Sequence, residues 1–283
     1  MIIKINDKPL DFSLDNESTL GEVFSALEEW LSSSGHRLSE IFIDGETISA
    51  GMLEEVFKRD ANSIKSLDIR TNAIAELAAA SLQSLLLDII EYEKIDFDEK
   101  KKYFDNWKES GQAIFIMEEM PDLYAYFKNT FLNGEVDIAT LRSVTEEIQR
   151  EVNEPLKELV KIEPVLNEIC AKLINLPLDI QTGKDLIASQ SIQLFTAITE
   201  KLIRLFYQLS TQGYIVNIEE AKKIAEDFGS FRDTLNQLLE SYEKHDIIIV
   251  GDVAEYEAAP KLKELYTSIL RNCQEEAKTQ DNK

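Results

Sequence analysis

The chain has 283 residues, and its 53 acidic and 30 basic side chains give a formal net charge of -23. Because phosphate backbones and anionic membranes are bound by basic surfaces, this charge argues against both nucleic acid and membrane as main partners. The hydrophobic fraction of 44% is typical of a folded protein rather than a disordered acidic tail. The length predicts one large domain or two ordinary ones.

No apolar run reaches the ~20 residues that a membrane-spanning helix needs. The longest aliphatic run occupies residues 247–250, and residues 1–7 meet charge too soon for a signal peptide. Cys170 and Cys273 show no metal or redox spacing, so we expect two thiols kept in a reducing compartment. Together these features predict a cytoplasmic protein.

Residues 1–71 contain several short segments in which apolar and polar side chains alternate, as they do in strands. A hairpin is predicted first, and the capping box of Thr19 and Glu22 starts a helix after it. Strands near residues 41–43 and 67–69, with a short helix between them, complete this unit. The apolar positions of the predicted hairpin are Ile3, Ile5, Leu10, Phe12 and Leu14.

The order strand, strand, helix, strand, short helix, strand, with IFIDG at residues 41–45, resembles a ubiquitin-like β-grasp domain. The resemblance covers residues 1–71 and implies a partner-binding side chain at Phe42, where ubiquitin exposes an isoleucine. An alternative for Phe42 is burial under the helical region. Arg70 falls near the position of an exposed valine on ubiquitin's last strand. The chain continues past this strand without a Gly-Gly tail, so conjugation to other proteins is not expected.

From Ile74 onward the apolar period is 3.6, which predicts a helical bundle over residues 73–273 and a polar, frayed tail over residues 274–283. The predicted fold class is therefore α+β, with a small N-terminal β-grasp domain followed by a larger all-α bundle. Pro155 and Pro164 should kink or split one long helix, and Pro260 should do so in the last helix. Predicted helix starts lie at Pro121, Asp137 and Asn217, with a stop at Asn133 and Gly134.

The chain contains few of the residues and motifs that catalytic sites use. Its two histidines, His36 and His245, are too few for the metal and hydrolase centres that use this residue, so we predict no catalytic residue, no cofactor and no zinc site. The sequence TGK at residues 182–184 lacks the upstream glycine of a phosphate-binding loop and is predicted to precede a helix as its cap.

The form D-x-x-E-Y-E occurs twice, on the first and the last predicted helix of the bundle. Spacing of three places Asp88 beside Glu91, and Asp252 beside Glu255. If the two helices meet, four carboxylates would bind Mg²⁺ or Ca²⁺ or hold a basic peptide. The opposing interpretation is solvated surface, because a short acidic repeat is expected by chance among 53 acidic residues.

The leading functional prediction is a non-catalytic cytoplasmic interaction module, such as an adaptor, a scaffold or a chaperone-like binder. The negative charge favours a basic protein partner, and long apolar stripes favour self-association as a homo-oligomer. The alternatives are an enzyme or metal-binding protein that uses the four carboxylates, and a helical regulator that binds a small molecule in its core. The candidate partner-binding residues are Phe42, Glu91, Tyr92, Glu255 and Tyr256.

Overall fold

A computed structural model describes residues 1–10, 17–132 and 137–280, without the side chains of residues 33, 50, 97, 98 and 274–280. A small mixed sheet at the N-terminus is followed by helices, and 75% of the described residues are helical. The predicted α+β class is therefore confirmed. The second arm of the predicted hairpin, with Phe12 and Leu14, and the predicted stop at Asn133 and Gly134 lie outside the described residues.

The sheet has the strand order β2-β1-β5-β3-β4 in the described part of the chain. Strand β1 runs parallel to β5, and the other neighbours are antiparallel. This arrangement is compatible with a β-grasp-like fold. The strands are β1 (Ile2–Ile5), β2 (Lys8–Pro9), β3 (His36–Ile43), β4 (Glu46–Thr47) and β5 (Ser66–Ala73), with helices α1 (Leu20–Ser33) and α2 (Leu53–Phe57) between them.

Alternation along the strands places one apolar face of the sheet against α1. Ile41, Ile43 and Ile69 are each at most 5% exposed, and Leu20 and Leu27 of α1 are fully buried opposite them. Burial of each such side chain stabilises the fold by roughly 1.5–3 kcal/mol. The predicted capping box also starts α1: the Glu22 backbone amide donates to Thr19 Oγ1 at 3.3 Å, and the Thr19 amide donates to Glu22 Oε2 at 3.1 Å.

The sheet continues directly into helix α3, because the Ile74 amide donates to the carbonyl of Gly35 at 2.8 Å at the end of β5. Arg37 of β3 then reaches the helices that follow: it pairs with Glu118, and its guanidinium carbon lies 5.5 Å from the centre of the Phe115 ring. These helices are α3 (Ile74–Tyr92), α4 (Phe97–Trp107), α5 (Gly111–Glu119), α6 (Pro121–Leu132) and α7 (Ile138–Asn153).

The remaining helices enclose a second core, whose fully buried members include Leu159, Leu202 and Leu205. As predicted, Asn217 caps one helix by accepting from the Glu219 and Glu220 amides. The elements are α8 (Pro155–Ile174), α9 (Leu176–Gln181), α10 (Asp185–Thr211), α11 (Ile218–Glu243), α12 (Ile247–Asp252), a π-helical segment (Val253–Ala258) and α13 (Ala259–Gln280).

The three prolines behave differently. Pro155 begins α8 and so separates it from α7, whereas α8 continues through Pro164 without ending. The last predicted helix is divided by the π-helical segment, and Pro260 follows as the second residue of α13. A proline ring clashes with the carbonyl four residues before it, and the wider π turn ahead of Pro260 accommodates this conflict.

The chain forms two compact units, Met1–Glu146 and Glu147–Lys283, which we call the first and second unit and describe separately. The division falls within α7, whereas the sequence pattern changes at the end of β5. The segment 274–280, which we expect to fray, continues α13 as helix. No disulfide joins Cys170 and Cys273, both of which are buried. None of the described helices is long and apolar enough to cross a membrane.

Candidate functional site

Asp88, the first residue of the acidic repeat, binds its own fold. Its carboxylate accepts hydrogen bonds from the Tyr103 hydroxyl at 3.0 Å, the Trp107 indole at 3.1 Å and the Gln112 amide at 3.0 Å. Burial and the adjacent Asp88 charge raise the pKa of Tyr103 well above its ordinary value, so this hydroxyl stays a donor. Asp88 therefore connects α3 with α4 and α5.

Tyr92 is not available to a partner, contrary to the prediction. It is 3% exposed, its hydroxyl donates to the Phe131 carbonyl at 3.0 Å, and its ring packs on the Phe131 ring. The helical period explains the difference, because Tyr92 continues the stripe of Leu85 and Ile89 into the core. Glu91, one position earlier, is exposed.

The second copy of the repeat has a different environment. Asp252 ends α12, and Glu255 and Tyr256 lie on the π-helical segment, where the Tyr256 side chain is 69% exposed. This copy belongs to the second unit, whereas Asp88 belongs to the first. No group of three or more His, Cys, Asp or Glu side chains within the described ranges is arranged to hold a metal ion.

Phe42 lies on the outer face of the sheet and is half-buried. Its ring is covered by Arg70 of the neighbouring strand, whose guanidinium carbon lies 5.9 Å from the ring centre. Arg70 is held there by two hydrogen bonds to Asp7, at 2.6 and 2.8 Å. The Arg70 guanidinium therefore replaces part of the exposed apolar surface that the resemblance implies.

The buried carboxylates of the second unit are paired rather than reactive. Arg204 donates twice to Glu151, at 2.8 and 3.0 Å, and Lys201 lies 2.6 Å from Glu147 and 3.8 Å from Glu158. Burial disfavours the Arg204 charge, but its bonds to Glu151 outweigh this effect and raise its pKa. A carboxylate held by a bidentate arginine is a structural ion pair and a poor general acid.

The most distinctive surface of the second unit is apolar. Helix α9 packs against both α12 and α10, and all three helices expose large aliphatic side chains. Ile248 is 77% exposed and Leu186 is 73% exposed. We call the exposed apolar residues of these three helices, together with Tyr256 of the π-helical segment that follows α12, the α9–α12 surface. They are Leu178, Leu186, Ile187, Ile248, Ile249 and Tyr256.

Local chemistry sets the turn from α9 into α10 and the packing of α12 on α9. Gly183 adopts a φ of +68° in the turn after α9, and the Lys184 amide donates to the Asp179 carbonyl at 2.8 Å, which turns the chain into α10. Gly251 allows α12 to approach α9, because a Cβ there would lie 3.1 Å from Cγ of Pro177. Asp246 caps α12 by accepting from the Ile249 amide at 3.2 Å.

The α9–α12 surface is also strongly acidic. Residues 176–187 and 246–257 contain six acidic side chains and one basic one, a net charge of -5. The single lysine, Lys184, already pairs with Asp179 at 3.5 Å. The carboxylates of Asp252 and Glu255, which are close in sequence to Ile248 and Tyr256, are exposed as well.

The sequence contains a signal for this surface in residues 247–250, the longest aliphatic run of the chain. In a helix, four consecutive residues point in directions about 100° apart, so they cannot all face one core. Val250 is buried and Ile248 is exposed.

Two family models match parts of the chain. A model described as the TP0873 N-terminal domain matches residues 1–73, and a domain of unknown function, DUF8042, matches residues 157–268. The first match covers the sheet with α1 and α2, and the second includes the whole α9–α12 surface. No curated protein and no solved structure gives a significant match.

Proposed function

We propose that the chain is a non-catalytic cytoplasmic interaction module, an adaptor or chaperone-like binder, that binds a basic amphipathic helix of a partner protein. The observation that carries this proposal is the α9–α12 surface, where Ile248 and Leu186 are more than 70% exposed. Exposed apolar side chains on helices that pack together are the kind of surface by which soluble proteins bind partners.

Charge decides the kind of partner. The surface has a net charge of -5 within a chain of charge -23, so an acidic partner would be repelled. A helix with leucines on one face and lysines or arginines on the other matches both the aliphatic side chains and the carboxylates around them. Helix-in-groove recognition uses this combination of anchors.

We also propose that residues 1–73 form a ubiquitin-like domain. The strand order and the parallel pairing of β1 with β5 support this assignment. Phe42 with its Arg70 cover would form a secondary contact there, and the cytoplasmic location is supported by two buried cysteines without a disulfide between them.

The test uses a synthetic helical peptide with leucines on one face and lysines on the other, whose binding is followed by fluorescence anisotropy. We expect Ile248→Glu to weaken binding about tenfold or more, because the variant loses the burial of one aliphatic side chain. If charge alone governed binding, Ile248→Glu would bind the basic peptide more tightly, because the variant adds a negative charge. Ile203→Glu is the matched control, because Ile203 is 44% exposed on α10 about 25 Å from Leu186.

A scrambled peptide of the same composition should bind weakly. Equal or tighter binding of the peptide by Ile248→Glu, or no binding by the native protein, would contradict the proposal. If light scattering shows a dimer of the native protein that Ile248→Glu abolishes, the surface is an interface between two copies and the basic partner is rejected.

A further inference from the structure

A groove between α11 and α13 has the opposite charge to the rest of the chain. Its volume is about 550 Å³, and four basic and two acidic side chains line it. The local formal charge of +2 contrasts with the charge of -23 of the whole chain. The charged residues are Lys223 and Asp227 on α11, and Lys261, Lys263, Glu264 and Arg271 on α13.

Three of the four cations have no acidic partner among the described side chains. Lys223, Lys263 and Arg271 form no ion pair with any side chain that the structure describes, although Asp227 lies one helical turn from Lys223. Other lysines of the second unit behave differently: Lys222, next along α11, pairs with Glu219 at 3.5 Å. The unpaired cations face the groove rather than the acidic outer surface of α11.

The fourth cation, Lys261, is held in place. Its ammonium donates to Thr234 Oγ1 at 2.8 Å and to Glu257 Oε2 at 3.1 Å. Hydroxyl groups complete the lining, and that of Ser268 makes no hydrogen bond to another described side chain. The groove thus offers a guanidinium, ammonium groups and a hydroxyl donor along one concave wall.

We propose that this groove binds the phosphate group of a small organic phosphate ester. Guanidinium and ammonium groups with a hydroxyl donor are the groups that recognise phosphate oxygens. The volume of about 550 Å³ is in the range of small-molecule sites and leaves room beside a phosphate for an organic part of the ligand. This inference is independent of the proposed partner helix.

The negative charge of the whole chain means that an anion must be bound by direct contacts. A net charge of -23 repels anions, so nonspecific attraction does not gather phosphate at this protein. An anion that does bind must be held by direct contacts within the groove. Arg271 and Lys223 lie on different helices, and loss of either contact should therefore weaken binding.

The test is calorimetric titration of the full chain with phenyl phosphate and with inorganic phosphate. We expect Lys223→Ala and Arg271→Ala each to weaken phenyl phosphate binding about tenfold, the effect of removing a charge-assisted hydrogen bond. Lys222→Ala is the matched control and should bind as the native protein does. All three side chains are exposed, so the variants should melt at the native temperature.

Absence of binding to either probe would overturn the proposal, as would an equal loss in Lys222→Ala. Equal affinity for inorganic and phenyl phosphate would contradict the inference that the ligand has an organic part. A shift of the Arg271 side-chain NMR resonance on addition of phenyl phosphate provides a second measurement, and an unmoved resonance would place the probe elsewhere.

Discussion

The carboxylate of Asp88 organises three helices, because three donors from α4 and α5 converge on it. We expect Asp88→Ala to destabilise the protein by about 1–3 kcal/mol, since it leaves one buried and two half-buried donors without this acceptor. Urea unfolding followed by circular dichroism measures this loss. Glu91→Ala, one turn away and exposed, should change stability little. Equal stability of the two variants would refute a structural role for Asp88.

Lys201 compensates more than one buried carboxylate. It lies 2.6 Å from Glu147, 3.6 Å from Glu151 and 3.8 Å from Glu158. Lys201→Met should cost about 1–3 kcal/mol of unfolding free energy, because it removes the ion-pair partner of half-buried Glu147. The buried Glu151 and Glu158 keep Arg204 and Lys161. Lys157→Met removes an exposed pair with Glu154 and should cost less than about 1 kcal/mol. A similar urea midpoint for both variants would contradict this prediction.

Glu147 gives the same cluster a pH dependence. Burial raises its pKa, but the hydrogen bond and charge of Lys201 outweigh burial, so the pKa lies below its ordinary value of 4.5. A lowered folded pKa contributes stability above pH 4.5 that is lost as the pH falls through the folded value. The difference in urea midpoint between native protein and Glu147→Gln should thus be present at pH 7 and vanish in acid. A difference in urea midpoint that grows in acid would contradict a lowered pKa of Glu147.

At the scale of elements, two glycines in helices should respond oppositely to alanine. Gly229 of α11 has open space where a Cβ would stand, so Gly229→Ala should stabilise by roughly 0.5–1 kcal/mol through helix propensity. Gly251→Ala gains the same propensity but places its Cβ 3.1 Å from Pro177, which should cancel the gain. Thermal melting compares the two variants. An equal gain in stability in both variants would show that Pro177 of α9 shifts to make room for the new Cβ.

Helix starts were predictable because caps depend on a few adjacent residues. Thr19, Asn217 and Pro121 each stand where the sequence indicated. The π-helical segment was not predicted, although Val250, Ala254, Ala258 and Leu262 are all buried at a spacing of four. In a straight α-helix this spacing drifts by about 40° per step, so the buried face is kept only if the helix widens.

The α9–α12 surface could be predicted only in part, for a physical reason. Exposure depends on which helices become neighbours, and a single sequence does not reveal this. Tyr92 and Tyr256 occupy the same position of one repeated sequence, yet one is 3% and the other 69% exposed. The acidic half of the site was visible in the sequence, whereas Leu178 and Leu186 required the packing of α9 against α10.

At the scale of the whole molecule, the charge of -23 acts on encounter more than on the final complex. We expect the association rate constant for the lysine-leucine peptide to fall about tenfold or more as salt rises from about 0.02 to about 0.3 M. The dissociation rate constant should change little, because apolar contacts hold the bound peptide. Stopped-flow anisotropy separates the two. A salt effect confined to dissociation would contradict this prediction.

The position of the two tryptophans has a practical consequence. Trp30 on α1 and Trp107 beside Asp88 are the only tryptophans of the chain, and both belong to the first unit. Intrinsic tryptophan emission therefore follows the first unit alone, whereas circular dichroism follows the helices of both. A denaturation curve recorded with the two signals would show directly whether the halves of this protein unfold as one cooperative system or in sequence.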